Sequence, residues 1–384
     1  MDARMKTDYF REIPTPFYYY DRELLEKTLT VITEEMGKAD NCHLHYAVKA
    51  NTNADVLKVI ADYGFGADCV SGWEIESCVK AGFEPRKMVF AGVAKSDWEI
   101  QLALEVGIDH FNVESVQELE VIDEIAGRMG VEARVALRIN PNVGAHTHAN
   151  ITTGLAENKF GIDIVDMVPT AREAMAMEHV RLVGLHFHIG SQITEMDDFE
   201  ALAAKINELQ DQLEAAGIGT LENINVGGGL GIDYYNPDEN PIPDFANYFK
   251  TYREGLRLRK GQRLHFELGR AVVGQMGSLI AKVIYVKTNK IKKFAILDAG
   301  FTDLIRPALY GAYHKVENIT SESGETDKYD VVGPICESTD VFVKDYELPT
   351  TKRGDYIAFR SAGAYGEIMA SGYNCRPLPK GYLL

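Results

Sequence analysis

Strand-like segments alternate with helical segments along most of the chain, and this alternation limits the possible folds more than any other feature. We predict eight strands, at residues 43–50, 67–71, 88–92, 110–115, 134–140, 182–190, 224–230 and 264–269. The segments between most of them, such as 53–63 and 115–129, have the apolar spacing of helices. Eight βα units of this kind predict an α/β fold with a TIM (β/α)8 barrel, whereas a doubly wound sheet is the alternative.

The alternation also predicts where the domains lie. It stops after Arg270, where β-type runs separated by glycine and proline begin. We therefore predict a barrel over residues 31–270 and a C-terminal all-β domain over residues 271–384. An aromatic strand bounded by prolines lies at residues 14–21, before the first βα unit. We expect residues 1–30 to join the β domain.

Polar residues share one face of several predicted strands. They alternate with apolar residues and are His110, Asn112, Glu114, Arg138, Asn140, His186, His188, His265 and Glu267. A barrel surrounded by helices turns its apolar strand faces outward, so these polar side chains are expected inside it. Lys49, His188 and Glu267 lie at the C-terminal ends of strands, where barrels of this type place their active sites.

The composition excludes several classes of function. The chain has 384 residues and a formal net charge of -17, without a dense basic run, so we expect no nucleic acid or membrane partner. Its five cysteines include no CxxC pair and indicate neither a disulfide framework nor a zinc ribbon. His146 and His148 have an HxH spacing without further ligands, so we expect no metal site. Without a signal-like or membrane-length apolar segment, we expect a cytoplasmic protein.

Two features of the predicted barrel are suited to a reactive cofactor. Lys49 is either a surface lysine whose ammonium group reaches solvent or a Schiff-base lysine that binds an aldehyde. The glycines at 227–229 form either a tight turn or a phosphate cradle, and Ile232 breaks the GxGxxG pattern of a dinucleotide site. Together with the inward carboxylate of Glu267, these features match the needs of pyridoxal phosphate.

Eight motifs resemble those of one enzyme family. YAVKAN (46–51), HFHIGSQ (186–192), GGG (227–229) and ELGR (267–270) are similar to the fold-type III pyridoxal-phosphate decarboxylases, which have an alanine racemase-like barrel. NKFGI (158–162), RPALYGAYH (306–314), GPICESTD (333–340) and GAYG (363–366) resemble the diaminopimelate decarboxylase branch of that family. The motifs follow one another in the family's order over essentially the whole chain. Leu268 departs from the pattern, since the family usually has proline there.

The resemblance implies a role for each matching residue. The cofactor-binding residues are Lys49, Asp68, His188, Ser191, Gly228, Gly229, Glu267, Arg270 and Tyr365. The substrate-binding residues are Arg270, Arg306, Tyr310, Glu337 and Tyr365. The catalytic residues are Lys49, His188 and Cys336. In this set Lys49 is the Schiff-base lysine, Glu267 faces the ring nitrogen of pyridoxal 5'-phosphate, and Cys336 donates a proton in the partner's site of a homodimer.

The implied reaction is decarboxylation of meso-2,6-diaminopimelate to L-lysine and CO2, the last step of lysine biosynthesis. Arg306 favours this substrate over ornithine, because an arginine binds a distal carboxylate and repels a distal ammonium group. The alternatives are a decarboxylase of another basic amino acid (ornithine, arginine or lysine), an amino-acid racemase, and a non-catalytic regulatory homologue. Lys49 and Cys336 argue against the last, since a protein without catalysis has no use for both.

Overall fold

The structure, a computed structural model, describes residues 7–143 and 159–384 in two compact units. The barrel unit comprises the described residues of Leu29–Gly231 together with Asp244–Arg270. The β unit comprises the described residues up to Thr28, Ile232–Pro243 and Ala271–Leu384. The sequence contains no signal that groups 232–243 with the β unit, and domain boundaries at 30 and 270 stay a prediction. His146, His148 and Asn158 lie outside the described residues.

The strands and helices have the following bounds. The strands are β1 (Phe17–Tyr20), β2 (Cys42–Ala47), β3 (Gly66–Cys69), β4 (Met88–Phe90), β5 (His110–Val113), β6 (Ala133–Asn140), β7 (Ile162–Asp163), β8 (Val180–His186), β9 (Asn223–Asn225), β10 (Arg263–Leu268), β11 (Gly277–Thr288), β12 (Lys293–Leu297), β13 (Val316–Asn318), β14 (Thr326–Val332), β15 (Val341–Pro349), β16 (Tyr356–Phe359) and β17 (Lys380–Leu383). The helices are α1 (Thr7–Phe10), α2 (Arg22–Met36), α3 (Ala54–Asp62), α4 (Gly72–Ala81), α5 (Asp97–Val106), α6 (Val116–Met129), α7 (Ile164–Ala176), α8 (Met196–Ala215), α9 (Phe245–Gly255), α10 (Arg270–Val273) and α11 (Arg306–Tyr310).

Eight strands of the barrel unit form a closed parallel sheet. Their order is β5, β4, β3, β2, β10, β9, β8 and β6, and pairing of β5 with β6 closes the ring. The short strand β7 pairs with β6 in addition. The predicted TIM barrel is confirmed, and the doubly wound alternative is wrong, because an open sheet would leave two edge strands unpaired.

Side chains that cap helices turn the chain from one strand to the next. At the starts of α4 and α6, Ser71 and Ser115 each accept a backbone N–H at 3.2 Å, from Glu74 and Glu118 respectively. Helix α4 ends at Gly82, whose φ of 97° lies in the left-handed region that disfavours a side chain. Such caps keep the crossovers between the parallel strands short, so the C-terminal ends of all eight barrel strands meet at one face.

The β unit is a mostly antiparallel sheet built around its longest strand, β11. Strands β1, β12 and β16 each pair with β11 in antiparallel orientation. Strand β1 lies between β11 and β17, because Phe17 also pairs in parallel with Lys380. Phe17 and Tyr19 pack in an apolar cluster with Phe10 and Ile280. The prediction of a sheet domain that follows the barrel is confirmed.

Within the described ranges 7–143 and 159–384, two structural features are missing. No helix there combines the length and the apolar composition that crossing a membrane requires. The same residues contain no group of three or more His, Cys, Asp or Glu side chains placed to hold a metal ion.

Stacked histidines fill part of the barrel interior. The rings of His43 and His45 both lie with their centroids 5.1 Å from that of His265. His45 Nδ1 donates to the carbonyl of Lys87 (2.9 Å), so its Nε2 carries a lone pair and accepts from His265 Nδ1 (2.8 Å). This pattern requires a neutral His45. Burial accordingly lowers the pKa of His45 to about 4 and holds that of His265 well below its usual value.

We expect His45 to make the barrel less stable in acid. The pKa of His45 is about 4 in the folded protein and about 6.5 for an ordinary histidine, so the unfolded chain takes up the proton first as the pH falls. The contribution of neutral His45 to the unfolding free energy is complete above pH 6.5. About 3 kcal/mol of it is lost as the pH falls from about 6.5 to about 4. In His45→Gln the amide preserves both hydrogen bonds without titrating. The difference in unfolding free energy between the two proteins, from urea denaturation, should shrink accordingly, and a constant difference would contradict the assignment.

Candidate active site

Lys49 lies directly after strand β2, at the C-terminal face of the barrel. The predicted strand 43–50 is too long, since Val48–Ala50 form a single 3-10 turn. The turn brings Lys49 Nζ to 3.2 Å from Asp68 Oδ2, with 41% of the lysine side chain exposed and the aspartate buried. Burial and the charge of Glu267 raise the pKa of Asp68 to about 6, although Lys49 acts in the opposite direction. An accessible amine therefore stands beside a buried acid.

Glu267, near the end of β10, is a carboxylate buried at the same end of the barrel. Its Oε2 accepts a hydrogen bond from His186 Nε2 at 2.8 Å. Its Oε1 accepts from Asn112 Nδ2 at 3.0 Å and from Asn225 Nδ2 at 2.7 Å. Burial by itself would raise the pKa of Glu267, but His186 and Lys49 reverse this effect and hold the pKa well below the usual range. The residue is therefore ionised.

The three donors to Glu267 were not among the predicted site residues. His186, Asn112 and Asn225 lie on strands β8, β5 and β9, which converge only when the barrel closes. The alternating pattern did place His186 and Asn112 on inward faces. What it could not show is that both side chains reach the same carboxylate from different strands.

His188 lies beyond the end of β8, since the predicted strand 182–190 ends at His186. Its Nδ1 accepts a hydrogen bond from the backbone N–H of Gly228 at 3.4 Å. Burial, followed by the charges of Arg138 and Lys49, holds the pKa of His188 well below its usual value. A neutral imidazole ring therefore borders the glycine loop, as stacking on a pyridine ring would require.

The glycine loop packs against backbone so closely that no side chain fits. A Cβ atom at Gly228 would overlap the carbonyl oxygen of Glu267. At Gly229, where φ is 113°, a Cβ atom would lie 3.0 Å from the carbonyl oxygen of Gly190. Next to Gly190, Ser191 Oγ accepts hydrogen bonds from Nε and Nη2 of Arg270, both at 3.2 Å. The backbone of the glycine loop, the hydroxyl of Ser191 and the guanidinium group of Arg270 thus lie close together.

These residues fit pyridoxal phosphate. Asp68 Oδ1 is buried and has no hydrogen-bond partner among the residues that the structure describes. This oxygen can therefore form a hydrogen bond with a bound group. The loop at 227–229, Ser191 and Arg270 would hold the phosphate. The ionised carboxylate of Glu267 would stabilise a protonated ring nitrogen, and Lys49 would bind the aldehyde. Leu268, which stands where the family has proline, ends β10 in register with Tyr46.

The remaining predicted residues belong to the β unit. Arg306 and Tyr310 lie one turn apart on helix α11. Arg306 is buried, donates to His314 Nε2 at 2.8 Å and stands 5.1 Å from the ring centre of Tyr234. The other members are Tyr365, whose φ is 56°, and the exposed residues Cys336 and Glu337. The roles of these residues stay predictions.

Comparisons with known proteins agree with this arrangement. Residues 23–274 match the family model described as "Pyridoxal-dependent decarboxylase, pyridoxal binding domain". A diaminopimelate decarboxylase from Bacteroides thetaiotaomicron is 64% identical over 375 residues, which are 98% of this chain and 97% of the relative. One from Pseudomonas aeruginosa is 43% identical over 362 residues, covering 94% of this chain and 86% of the relative.

A solved structure shows the same likeness in three dimensions. The crystal structure of diaminopimelate decarboxylase from Helicobacter pylori complexed with L-lysine has a TM-score of 0.92 and 39% sequence identity. The match covers 98% of this chain and 93% of that one. The predicted family and the predicted cofactor, pyridoxal phosphate, are confirmed. This chain belongs to the diaminopimelate decarboxylases, within the pyridoxal-dependent decarboxylase family.

Proposed function

We propose that this chain converts meso-2,6-diaminopimelate to L-lysine and CO2, as the last step of lysine biosynthesis, in the cytoplasm. The observation that carries the proposal is the barrel end that joins Lys49, Asp68 and the ionised Glu267 to a glycine loop. The 64% identity to a diaminopimelate decarboxylase supports the substrate. The net charge of -17 supports the location, since it suits a protein that avoids anionic surfaces.

The barrel residues divide the work of decarboxylation among them. When bound, pyridoxal phosphate supplies an aldehyde that links to amines and a ring that accepts the electron pair left by CO2. Lys49 Nζ would be the amine that holds the aldehyde of the cofactor, and Asp68 orients Lys49 through the 3.2 Å hydrogen bond. Glu267 keeps a proton at the ring nitrogen. His188, as a neutral ring, would help to hold the cofactor and to exclude water.

Residues of the β unit act on the substrate. Arg306 binds the distal carboxylate, and Glu337 receives the distal ammonium group. Tyr310 and Tyr365, together with Arg270 of the barrel unit, add contacts that orient the substrate. The thiol of Cys336 delivers the proton that replaces CO2 at Cα, which becomes a CH2 group, so the configuration of L-lysine is that of the distal carbon, which does not react.

Two chains complete each active site in this proposal. Cys336 and Glu337 are exposed on their unit, as residues that serve another chain must be. Lys49 likewise keeps 41% of its side chain exposed at the open end of the barrel. A homodimer with a two-fold axis would use both surfaces twice, giving two equivalent shared sites.

We expect the holoenzyme to release CO2 from meso-diaminopimelate and not from L-lysine, L-ornithine or L-arginine. Arg306→Lys keeps the charge but loses the planar fork that grips a carboxylate, so KM for diaminopimelate should rise roughly tenfold or more. The change in kcat should be smaller. Because Arg306 also bonds to His314, the melting temperature is the control for folding, and Lys58→Arg on the exposed face of α3 is the matched control variant.

Release of CO2 from ornithine at the rate seen with diaminopimelate would contradict the proposed substrate. An unchanged KM in Arg306→Lys would contradict the role of Arg306 in binding the distal carboxylate. The two outcomes are independent, because the first concerns the whole site and the second concerns one residue in it.

The shared site predicts that two inactive variants restore each other. Lys49→Ala and Cys336→Ala, each with a different affinity tag, are co-expressed, and mixed dimers are isolated on both tags in turn. Each mixed dimer has one site with both substitutions and one with neither. CO2 release per dimer should therefore reach about half of the wild-type value. The control is a dimer in which both tagged chains carry Lys49→Ala. If the mixed dimers are as inactive as this control, the shared site is contradicted.

A further inference from the structure

The five cysteines fall into two groups with different exposure. In the barrel unit, Cys69 and Cys78 are buried with their sulfur atoms 3.9 Å apart, and Cys42 is half-buried. Burial raises the pKa of Cys69 well above its usual value, so its thiol stays protonated and unreactive. In the β unit, Cys336 and Cys375 are both exposed. Within one chain, these two thiols are more exposed than the three of the barrel unit, and exposure favours oxidation.

The segments that carry the two exposed cysteines are bonded to each other. The backbone N–H of Cys336 donates to Asn374 Oδ1 at 3.1 Å, and Asn374 directly precedes Cys375. The hydroxyl of Tyr373 donates to Glu337 Oε1 at 3.5 Å, which joins the neighbouring residues as well. Two hydrogen bonds therefore join residues 336–337 to residues 373–374.

The backbone of the second segment is held in an uncommon conformation. Asn374 has a φ of 53° and Cys375 a φ of 58°, two consecutive left-handed residues that are not glycine. On both sides the segment is anchored, since Tyr373 stacks on Phe301 (6.0 Å) and Arg376 Nη2 donates to the carbonyl of Asp298 (2.8 Å). A tight turn with fixed ends thus holds Cys375 one residue away from the side chain that bonds to Cys336.

We propose that Cys336 and Cys375 are a redox pair that a hydroperoxide converts to an intrachain disulfide. The consequence for activity rests on the proposed function, in which Cys336 donates the proton. A disulfide leaves Cys336 without a proton to donate, whereas Lys49, Glu267 and the glycine loop are untouched. Oxidation would therefore stop turnover and leave the cofactor bound.

The chemistry is complete with hydrogen peroxide as the oxidant. The thiolate of one cysteine attacks a peroxide oxygen, the O–O bond breaks, and the hydroxide that leaves takes up a proton as water. The second thiolate attacks the sulfur of the resulting sulfenic acid, the S–O bond breaks, and a second water leaves. Two thiols are oxidised and one peroxide is reduced to two waters. A dithiol such as dithiothreitol reverses the reaction by exchange.

The test treats the holoenzyme with hydrogen peroxide and follows both the linkage and the activity. Trypsin cuts at Lys344 and Arg353, between the two cysteines, so a non-reducing digest reports the disulfide as one linked pair of peptides. CO2 release should fall about a hundredfold, in step with the linked peptide, and return on dithiothreitol. The absorbance of bound pyridoxal phosphate should not change.

A variant without the second thiol separates a pair from a single reactive cysteine. Cys375→Ser should equal the wild type when reduced, because Cys375 has no part in the proposed reaction. After peroxide it should lose activity that dithiothreitol fails to restore, since Cys336 then oxidises to the sulfinic acid without a thiol to intercept it. Cys42→Ser is the matched control and should behave as the wild type does.

Three results would overturn the redox pair. They are the absence of the linked peptide once Cys336 has reacted, a disulfide that joins two chains, and reversibility that survives in Cys375→Ser. A failure of the proposed function would be seen in a separate measurement, which is CO2 release by reduced Cys336→Ser. If that variant is fully active, Cys336 is not the proton donor, and the peptide digest still decides whether the disulfide forms.

Discussion

A negative charge held inside the barrel is the constraint on which the rest of the site depends. Moving a carboxylate out of water costs several kcal/mol unless donors replace its hydration. Glu267 receives three such donors, from strands β5, β8 and β9, and its pKa stays low in spite of burial. All three donors lie on strands of the closed barrel, and none of them lies on a loop. The charge is therefore fixed before a cofactor binds, and no side chain has to move to create it.

The same residue fixes the other end of the cofactor site. The backbone N–H of Glu267 donates to the carbonyl of Gly227 at 2.7 Å, and its own carbonyl excludes a side chain at Gly228. The carboxylate that we propose for the ring and the loop that we propose for the phosphate thus lie at the ends of two paired strands, β10 and β9. Their separation is set by backbone geometry, which explains why a run of three glycines is needed there. Lys49, in the turn after β2, and Asp68, on the adjacent strand β3, lie at the same end of the barrel.

The sequence was sufficient for the number of strands, their closure and the inward faces. Alternation of polar and apolar residues survives in a barrel strand because one side is covered by helices and the other is the interior. Strand ends were less accurate. Residues 48–50 have strand-forming side chains and nevertheless form a turn, because the parallel pairing of β2 with β3 stops at Ala47. Local preference does not contain this information.

Contacts between strands that are distant along the chain could not be predicted from the sequence either. Asn225 lies in the predicted strand 224–230, and only the neighbouring position of β9 and β10 reveals it as a donor to Glu267. For the same reason, nothing in the sequence showed that Asn374 bonds to the backbone of Cys336, since 38 positions separate the two residues. The family resemblance supplied roles for single residues, whereas the structure supplied the partners that make those roles physically possible.

The measurement that tests the central claim most directly is decarboxylation by Glu267→Gln. Glutamine keeps the shape and accepts hydrogen bonds through its oxygen, but it carries no charge to hold a proton at the ring nitrogen. With pyridoxal phosphate bound at the wild-type stoichiometry, judged by absorbance, CO2 release from diaminopimelate should fall about a hundredfold or more. A fully loaded variant whose rate stays within a few-fold of the wild type would contradict the claim that the buried charge of Glu267 drives the reaction.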